Sequence, residues 1–447
     1  YEVENYLQYK GEQFAKTFDA NSYILMTKAM DSFDPAKNFD HDLVKCLKSI
    51  RAKLLIASFD SDWLFPKEYG LDIQMSAIKA GIDSTYIELN GEYGHDSFLF
   101  YSDDYSAALK NFLNSQGFNT DDLIVKQFPS GYSNLTYFLS TNNNEYVLRR
   151  PPFGADSLKG GHDMSREYKV LSKLKSEFKK VPNVHLYTED KSIIGAPFYI
   201  MDCVKGYIMR PNLSQENAPD ANTISKIADS LIDTLVNLHQ VDIDKSGLND
   251  FGKIEGYVSR QVSGWTKRYF HAKTHSLPEM EFVAKWLNDN QPKESGRAII
   301  HNDFKYDNAV LDINDPSKVI SVLDWEMATL GDPLMDLGTT LGYWVDKNDA
   351  PELKLFQLSA TTLDGNPSRQ DILTMYEKKS GNTIGNPVFY YVFGLFKIAI
   401  IAQQIYYRYH KGYTKDKRFS MLNIAVNSLG VMANQAIIKN RVSDLFE

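Results

Sequence analysis

The chain has 447 residues, 43% of them hydrophobic and 24% charged, an ordinary balance for a globular protein with room for roughly two to four domains. Its net charge of -8 and pI near 5.7 argue against nucleic acid or an anionic membrane as its main partner. Two cysteines, Cys46 and Cys203, are too few for a disulfide framework and point to a reducing, cytoplasmic setting.

The opening "YEVENYLQYK" carries neither a signal sequence nor an initiator Met, as expected of a piece of a longer chain. Residues 1–117 read as helix, strand, helix, strand, helix. The strands "AKLLIASF" (52–59) and "STYIELN" (84–90) flank the helical run "KEYGLDIQMSAIKAG". Strands apolar on both faces belong to covered parallel sheets. Two of them cannot bury themselves, so this segment reads as one edge of a larger sheet and should either stack on a neighbour or expose an apolar patch. Asp62 follows the first strand, and His95 lies in the glycine-flanked turn of "GEYGHDSFLF" after the second. These are the strand ends where α/β-hydrolase folds keep an acid and a base, with the serine earlier in the chain. No G-x-S-x-G elbow occurs in the 447 residues. Read singly, Asp62 and His95 are also ordinary turn residues.

Near "SQGFNTDDLIVKQF" the pattern changes. Residues 118–206 read as a small, mainly antiparallel sheet ("NLTYFLS", "EYVLRRP", "FYIMDCV") carrying one helix. The segment "FPSGYSNLTYFLS" (128–140) sets Gly131, Ser133 and Asn134 in a strand–turn–strand suited to covering phosphates with backbone N–H groups, although most such loops are plain hairpin turns. Arg149 ends the next strand, and the helix "MSREYKVLSKLKSEF" puts Glu167, Leu171, Leu174 and Phe178 on one stripe. A carboxylate on an apolar stripe is costly unless paired, and Arg149 is its natural partner. Snorkelling to solvent is the alternative.

Residues 207–447 read as helical, with "ISKIADSLIDTLVNLHQ" the clearest amphipathic run. The longest apolar stretch, around "FGLFKIAIIA", is short for a membrane span and carries Lys397, so no membrane partner is expected. One strand pair interrupts the helices: "NAVLDI" and "VISVLDW", joined by the turn "NDPSK". Just before it, His301, Asp303 and Asn308 fit H-x-D-x-x-x-x-N. In that spacing an Asp accepts the proton of a substrate hydroxyl while an Asn five residues on turns back to hold a metal ion. Asp324, at the end of the pair, stands where a second metal-binding carboxylate is needed, since Mg2+ on a triphosphate takes oxygen ligands. Singly, Asp303 and Asn308 are also turn formers and Asp324 a helix cap. Together they predict an ATP- and Mg2+-dependent kinase for a small hydroxylated molecule.

On the strings "SGYSNLTYFL", "YVLRRPP", "REYKVL", "HNDFKYDN", "VLDWEMATLGDPLMDLG" and "IAQQIYYRY", residues from about 120 to 440 resemble the aminoglycoside phosphotransferase and choline kinase superfamily. Within it they are most similar to the kinase-like domain fused to certain eukaryotic acyl-CoA dehydrogenases. The resemblance implies a two-lobed protein-kinase-like fold with ATP and magnesium between the lobes. It makes "FYIMDCVKG", with Met201 and Cys203, the hinge beneath adenine, and Asp336 a brace for the catalytic loop. Arg149 stands where protein kinases use Lys, which alters the geometry of any phosphate contact. The strings "VENYLQYKGEQFAKTFDANSYILMTKAMD", "SFDSDWLFP" and "YGHDSFL" resemble the C-terminal part of homoserine O-acetyltransferase, an α/β-hydrolase fold. That implies Asp62 orienting and His95 acting as base in acetyl transfer, by a serine this chain does not contain. The fold class expected is therefore α/β plus α+β: a partial hydrolase sheet, then the kinase-like fold. No acyl transfer is expected of this chain alone. The acceptor stays open between a hydroxyacyl-CoA or hydroxy acid and the aminoglycosides, choline and sugars of the wider superfamily. A non-catalytic nucleotide-binding module is the competing reading, disfavoured by the retention of Asp303, Asn308 and Asp324.

Overall fold

The computed structural model describes residues 34–50, 54–62, 65–82, 84–89, 107, 110–111, 114, 123–128, 134–141, 144–152, 163–194, 196–412 and 417–446. The chain divides into two compact units: Tyr1–Gln127 with Leu139–Asn144 and Glu189–Pro197, and Phe128–Phe138 with Glu145–Thr188 and Phe198–Glu447.

In the first unit, strands β1 (Leu54–Phe59) and β2 (Ser84–Leu89) pair in parallel, from Leu54↔Ser84 to Phe59↔Leu89. Helix α1 (Lys67–Ala80) connects them, entered through Pro66 and closed by Gly81 at φ +77°. Pro presets the backbone at a helix start, and Gly takes the left-handed turn at its end. A Cβ on Gly70 would collide with Ser58 Oγ, so glycine lets α1 lie close on β1. Such a βαβ unit makes the segment α/β, and many α/β folds share it, so it does not single out a hydrolase sheet. The two strands, expected to be unable to bury themselves, are mostly uncovered within this unit. Among their described positions only Ser58 and Leu89 are buried. The exposed apolar surface lies on the helix, where Tyr69, Met75 and Ile78 are each more than half exposed.

In the second unit an antiparallel sheet places β3 (Leu135–Ser140, of which residues 135–138 belong to this unit), β4 (Glu145–Arg150), β6 (Phe198–Asp202) and β5 (Val184–Thr188) side by side in that order. Arg149 pairs with Tyr199 across β4 and β6. Helix α2 (Met164–Leu174) is capped by Asp163, whose Oδ1 accepts the Arg166 N–H at 3.1 Å. Its stripe Glu167, Val170, Leu171 and Leu174 is buried.

The helical part follows: α3 (Ala221–His239), α4 (Tyr257–Ala272), α5 (Pro278–Asp289), α6 (Pro333–Tyr343), α7 (Arg369–Ser380), α8 (Pro387–His410) and α9 (Leu422–Lys439). Two short antiparallel pairs lie ahead of α6: β7 (Ala298–Ile300) with β10 (Thr329–Gly331), and β8 (Ala309–Leu311) with β9 (Val319–Val322). Helices α6 and α8 cross at glycines. A Cβ on Gly394 would strike the Gly338 carbonyl, and one on Gly338 the Tyr390 carbonyl. By length and composition, α8 and the helical stretch Arg418–Lys439 are apolar enough to cross a membrane, contrary to the expectation drawn from the sequence. For α8 the reason is burial on all sides, since 78% of its apolar window lies inside the protein. For Arg418–Lys439 the share is 33%.

Candidate functional site

The loop between β7 and β8 is built around one carboxylate. Asp336, fully buried in the first turn of α6, accepts the backbone N–H groups of His301 and Asn302, each at 2.7 Å, and lies 3.1 Å from His239 Nε2. Burial raises its carboxyl, but the bonds from His239 and the loop outweigh that and hold it below the usual range. Next in the loop, the Asp303 N–H donates to His301 Nδ1 at 3.2 Å, so this nitrogen is the acceptor. His301 Nε2 therefore carries the hydrogen and donates to the Leu323 carbonyl at 3.0 Å. Burial lowers the His301 pKa, which keeps the ring neutral.

Asp303 Oδ2 receives Lys305 Nζ at 2.7 Å and Asn308 Nδ2 at 2.8 Å. Burial pushes the Asp303 carboxyl up, yet the Lys305 ammonium and the Tyr343 hydroxyl bring it below the ordinary value. The group is thus an ionised carboxylate, able to accept a proton. Lys305 also lies 4.6 Å from the Tyr343 ring centroid. Asn308 Nδ2 donates a second bond to the Asp303 carbonyl at 2.8 Å, so both bonds use Nδ2 and leave Oδ1 to other partners. The Leu323 N–H donates to the Asn308 carbonyl at 2.8 Å. Through Leu323 the two loops are joined, and Asp324 follows directly, in the left-handed region at φ +66°.

Asp324 reaches the sheet. Arg149 Nη2 lies 3.0 Å from Asp324 Oδ1, and Nη1 lies 2.5 Å from Glu167 Oε1, which also accepts the Trp325 N–H at 3.2 Å. Burial works against the Arg149 charge, but Glu167 and Asp324 outweigh it and the guanidinium stays charged. One arginine therefore ties β4, α2 and the loop after β9 together, with one terminal guanidinium nitrogen on each of two carboxylates. Asn134 is buried and donates to Glu326 Oε2 at 2.9 Å. Met201 is buried in β6, and the half-buried Cys203 donates its backbone N–H to the Glu145 carbonyl at 3.2 Å.

Gly131, Ser133 and His95 lie outside the described residues. Asp62 accepts the Phe65 N–H at 3.0 Å and so closes the turn after β1. Lys305, Tyr343 and Glu326 join the site without having been singled out in the sequence. Lys305 occupies an unspecified position inside the motif, and Glu326 follows Asp324 by two residues. Tyr343 arrives from α6 through packing alone.

The donor set suits magnesium held on a nucleotide. Asp324 and Asn308 offer oxygen atoms, while Lys305 and Arg149 offer positive charge. Among the described residues no three His, Cys, Asp or Glu side chains gather into a metal cage. Mg2+ on a nucleotide is usually bound through one or two protein oxygens together with substrate phosphates.

Residues 124–367 match the family described as "Phosphotransferase enzyme family". Acyl-CoA dehydrogenase family member 11 of Gallus gallus is 34% identical over 341 residues, 70% of this chain and 43% of that protein. The chain thus spans less than half the length of this curated relative. Among solved structures, a candidate aminoglycoside phosphotransferase from Ralstonia eutropha JMP134 aligns with a TM-score of 0.64 and 30% identity, covering 75% of this chain and 98% of the other. A homoserine O-succinyltransferase of Laribacter hongkongensis (strain HLHK9) is 46% identical over 114 residues, 26% of this chain and 30% of that enzyme. The homoserine acyltransferase resemblance thus meets an enzyme named for succinyl transfer, where acetyl transfer was expected.

Proposed function

Because this chain belongs to the phosphotransferase enzyme family, we propose that it transfers a phosphoryl group from ATP, with Mg2+, to a hydroxyl of a small molecule. The observation that carries the reading is the ionised Asp303 held by Lys305 and Asn308, in a loop bonded to the one bearing Asp324. Asp303 orients the acceptor hydroxyl and takes up its proton. Lys305 and Arg149 offset negative charge on phosphate oxygens, and Asn308 Oδ1 and Asp324 would hold the magnesium. Bound magnesium-ATP supplies the phosphoryl group and most of the charge neutralisation such a transfer needs. Backbone N–H groups of residues 131–134 would cover the phosphates, and Met201 and Cys203 would lie beneath adenine.

For the acceptor we favour a hydroxyacyl-CoA or hydroxy acid, a choice supported by kinship with acyl-CoA dehydrogenase family member 11. The first unit we read as a C-terminal piece of a homoserine O-acyltransferase, with Asp62 and His95 as its acid and base. Lacking a serine elbow, the present chain should transfer no acyl group to homoserine. The test is magnesium-ATP turnover by the full chain against a panel of hydroxylated metabolites that includes hydroxyacyl-CoAs. Substrate-dependent release of ADP is expected. Tight nucleotide binding with no turnover on any acceptor would favour a non-catalytic module.

A further inference from the structure

The charge that interrupts the apolar run of α8 is not at the surface. Lys397 is 2% exposed, its Nζ 2.7 Å from the Asn302 carbonyl and 3.3 Å from Asn302 Oδ1. The Trp265 ring centroid lies 6.0 Å away. A buried ammonium is expensive unless it is bonded, and both of its bonds go to one residue of the catalytic loop.

That residue needs holding. Asn302 is in the left-handed region at φ +65°, a conformation that side chains with a Cβ rarely adopt without local support. Its N–H is bonded to Asp336 and its Nδ2 donates to the Met327 carbonyl at 3.1 Å. Its carbonyl belongs to the peptide that leads into Asp303, and the N–H of the same peptide donates to His301. The plane just before Asp303 is therefore gripped at both ends, by Lys397 on the oxygen and by the neutral His301 on the nitrogen. We propose that Lys397 is a positioning residue, whose ammonium group fixes the Asn302–Asp303 peptide and through it the direction of the Asp303 carboxylate. The claim that this matters for turnover rests on Asp303 being the base; the claim about the loop does not.

The charged groups facing Lys397 are Asp336 from α6, Asp303 and Lys305 from the loop, and Arg268 from α4. Burial lowers its pKa most. The two carboxylates oppose that, the two cations add to it, and the value falls to about 8. Above that pH the wild-type protein should lose the ammonium and, with it, turnover.

The experiment compares wild type with Lys397→Met and Lys397→Arg in the full chain. In the methionine variant kcat should fall at least about tenfold, with KM for ATP changed less than about threefold and no alkaline limb near pH 8. Arginine, charged throughout, should recover part of kcat and move the limb upward. Crystal structures of wild type and Lys397→Met supply the second measurement, with Lys397→Gln replacing the methionine variant if that chain does not fold. Asn302 leaving the left-handed region, or Asp303 turning, is expected. An unchanged loop would overturn the proposal whatever the kinetics, as would unchanged kcat with the wild-type alkaline limb retained. Wild-type protein without any turnover would defeat the phosphotransferase reading instead, and the loop in the variant would then decide this inference alone.

Discussion

A single carboxylate, Asp303, carries the proposed chemistry, and its surroundings divide its role from those of its neighbours. Asp303→Asn keeps the shape but cannot accept a proton, so turnover should fall by about 10²–10⁴-fold while nucleotide affinity, measured by calorimetry, stays close to wild type. Asp324→Asn should act differently. A neutral amide is a poorer ligand for a hard cation, so ATP binding with magnesium should weaken more than binding without it. Equal losses would make Asp324 the anchor of Arg149 and nothing more. His301, Asp303, Asn308 and Asp324 were legible in the sequence because their chemistry dictates their spacing. The Arg149–Glu167 pair could be expected because a carboxylate on an apolar stripe needs a cation. Lys397 was legible only as an interruption, since nothing in a linear pattern says which loop an internal ammonium will meet.

The helices α6 and α8 turn that question into one of packing. Asp336 lies two residues before Gly338, and Lys397 three residues after Gly394, so the close crossing brings an anion and a cation to opposite ends of Asn302. Gly394→Ala places a methyl group against the Gly338 backbone, which has no flexible side chain to yield. The variant should lose about 1–3 kcal/mol of stability in denaturant titration, with kcat reduced further than that loss alone explains. Loss of stability with normal turnover in the folded fraction would separate the crossing from the loop. Amphipathic α3, the β8–β9 pair and the antiparallel sheet follow from periodicity and turn residues. The apolar run within α8 was read as short for a membrane span because charge and aromatic residues break it in sequence, whereas burial all round it is a property of the assembled helices.

At the scale of the whole molecule, Arg369 clamps the C-terminal end to the helical part. It bonds Asp349 through both nitrogens, at 2.5 and 2.8 Å, the Trp344 carbonyl at 2.9 Å and the Val442 carbonyl at 2.5 Å. Asp346, 3.3 Å from Arg369 Nη2, accepts the Ser443 hydroxyl at 2.7 Å. Burial raises the Asp346 carboxyl more than Arg369 lowers it, to about 6. A carboxyl with a raised folded pKa stabilises most below its unfolded value near 4 and loses that contribution as pH climbs through 6. Over that window the loss is roughly 3 kcal/mol. Stability of Asp346→Asn relative to wild type should therefore improve between pH 4 and 7.5 by up to that amount, read from urea unfolding at each pH. A constant difference would mean that Asp346 is already ionised at low pH. The bonds that tie the sheet to the segment after β9 have a different consequence. Arg149 and Asp324 are 175 residues apart, and Asn134 and Glu326 are 192 apart. During synthesis the proposed nucleotide site cannot close until the chain has been made past Glu326, and loop-closure entropy delays it again in refolding. Nucleotide protection against proteolysis should consequently appear late in a refolding time course, after the helical part has already become resistant.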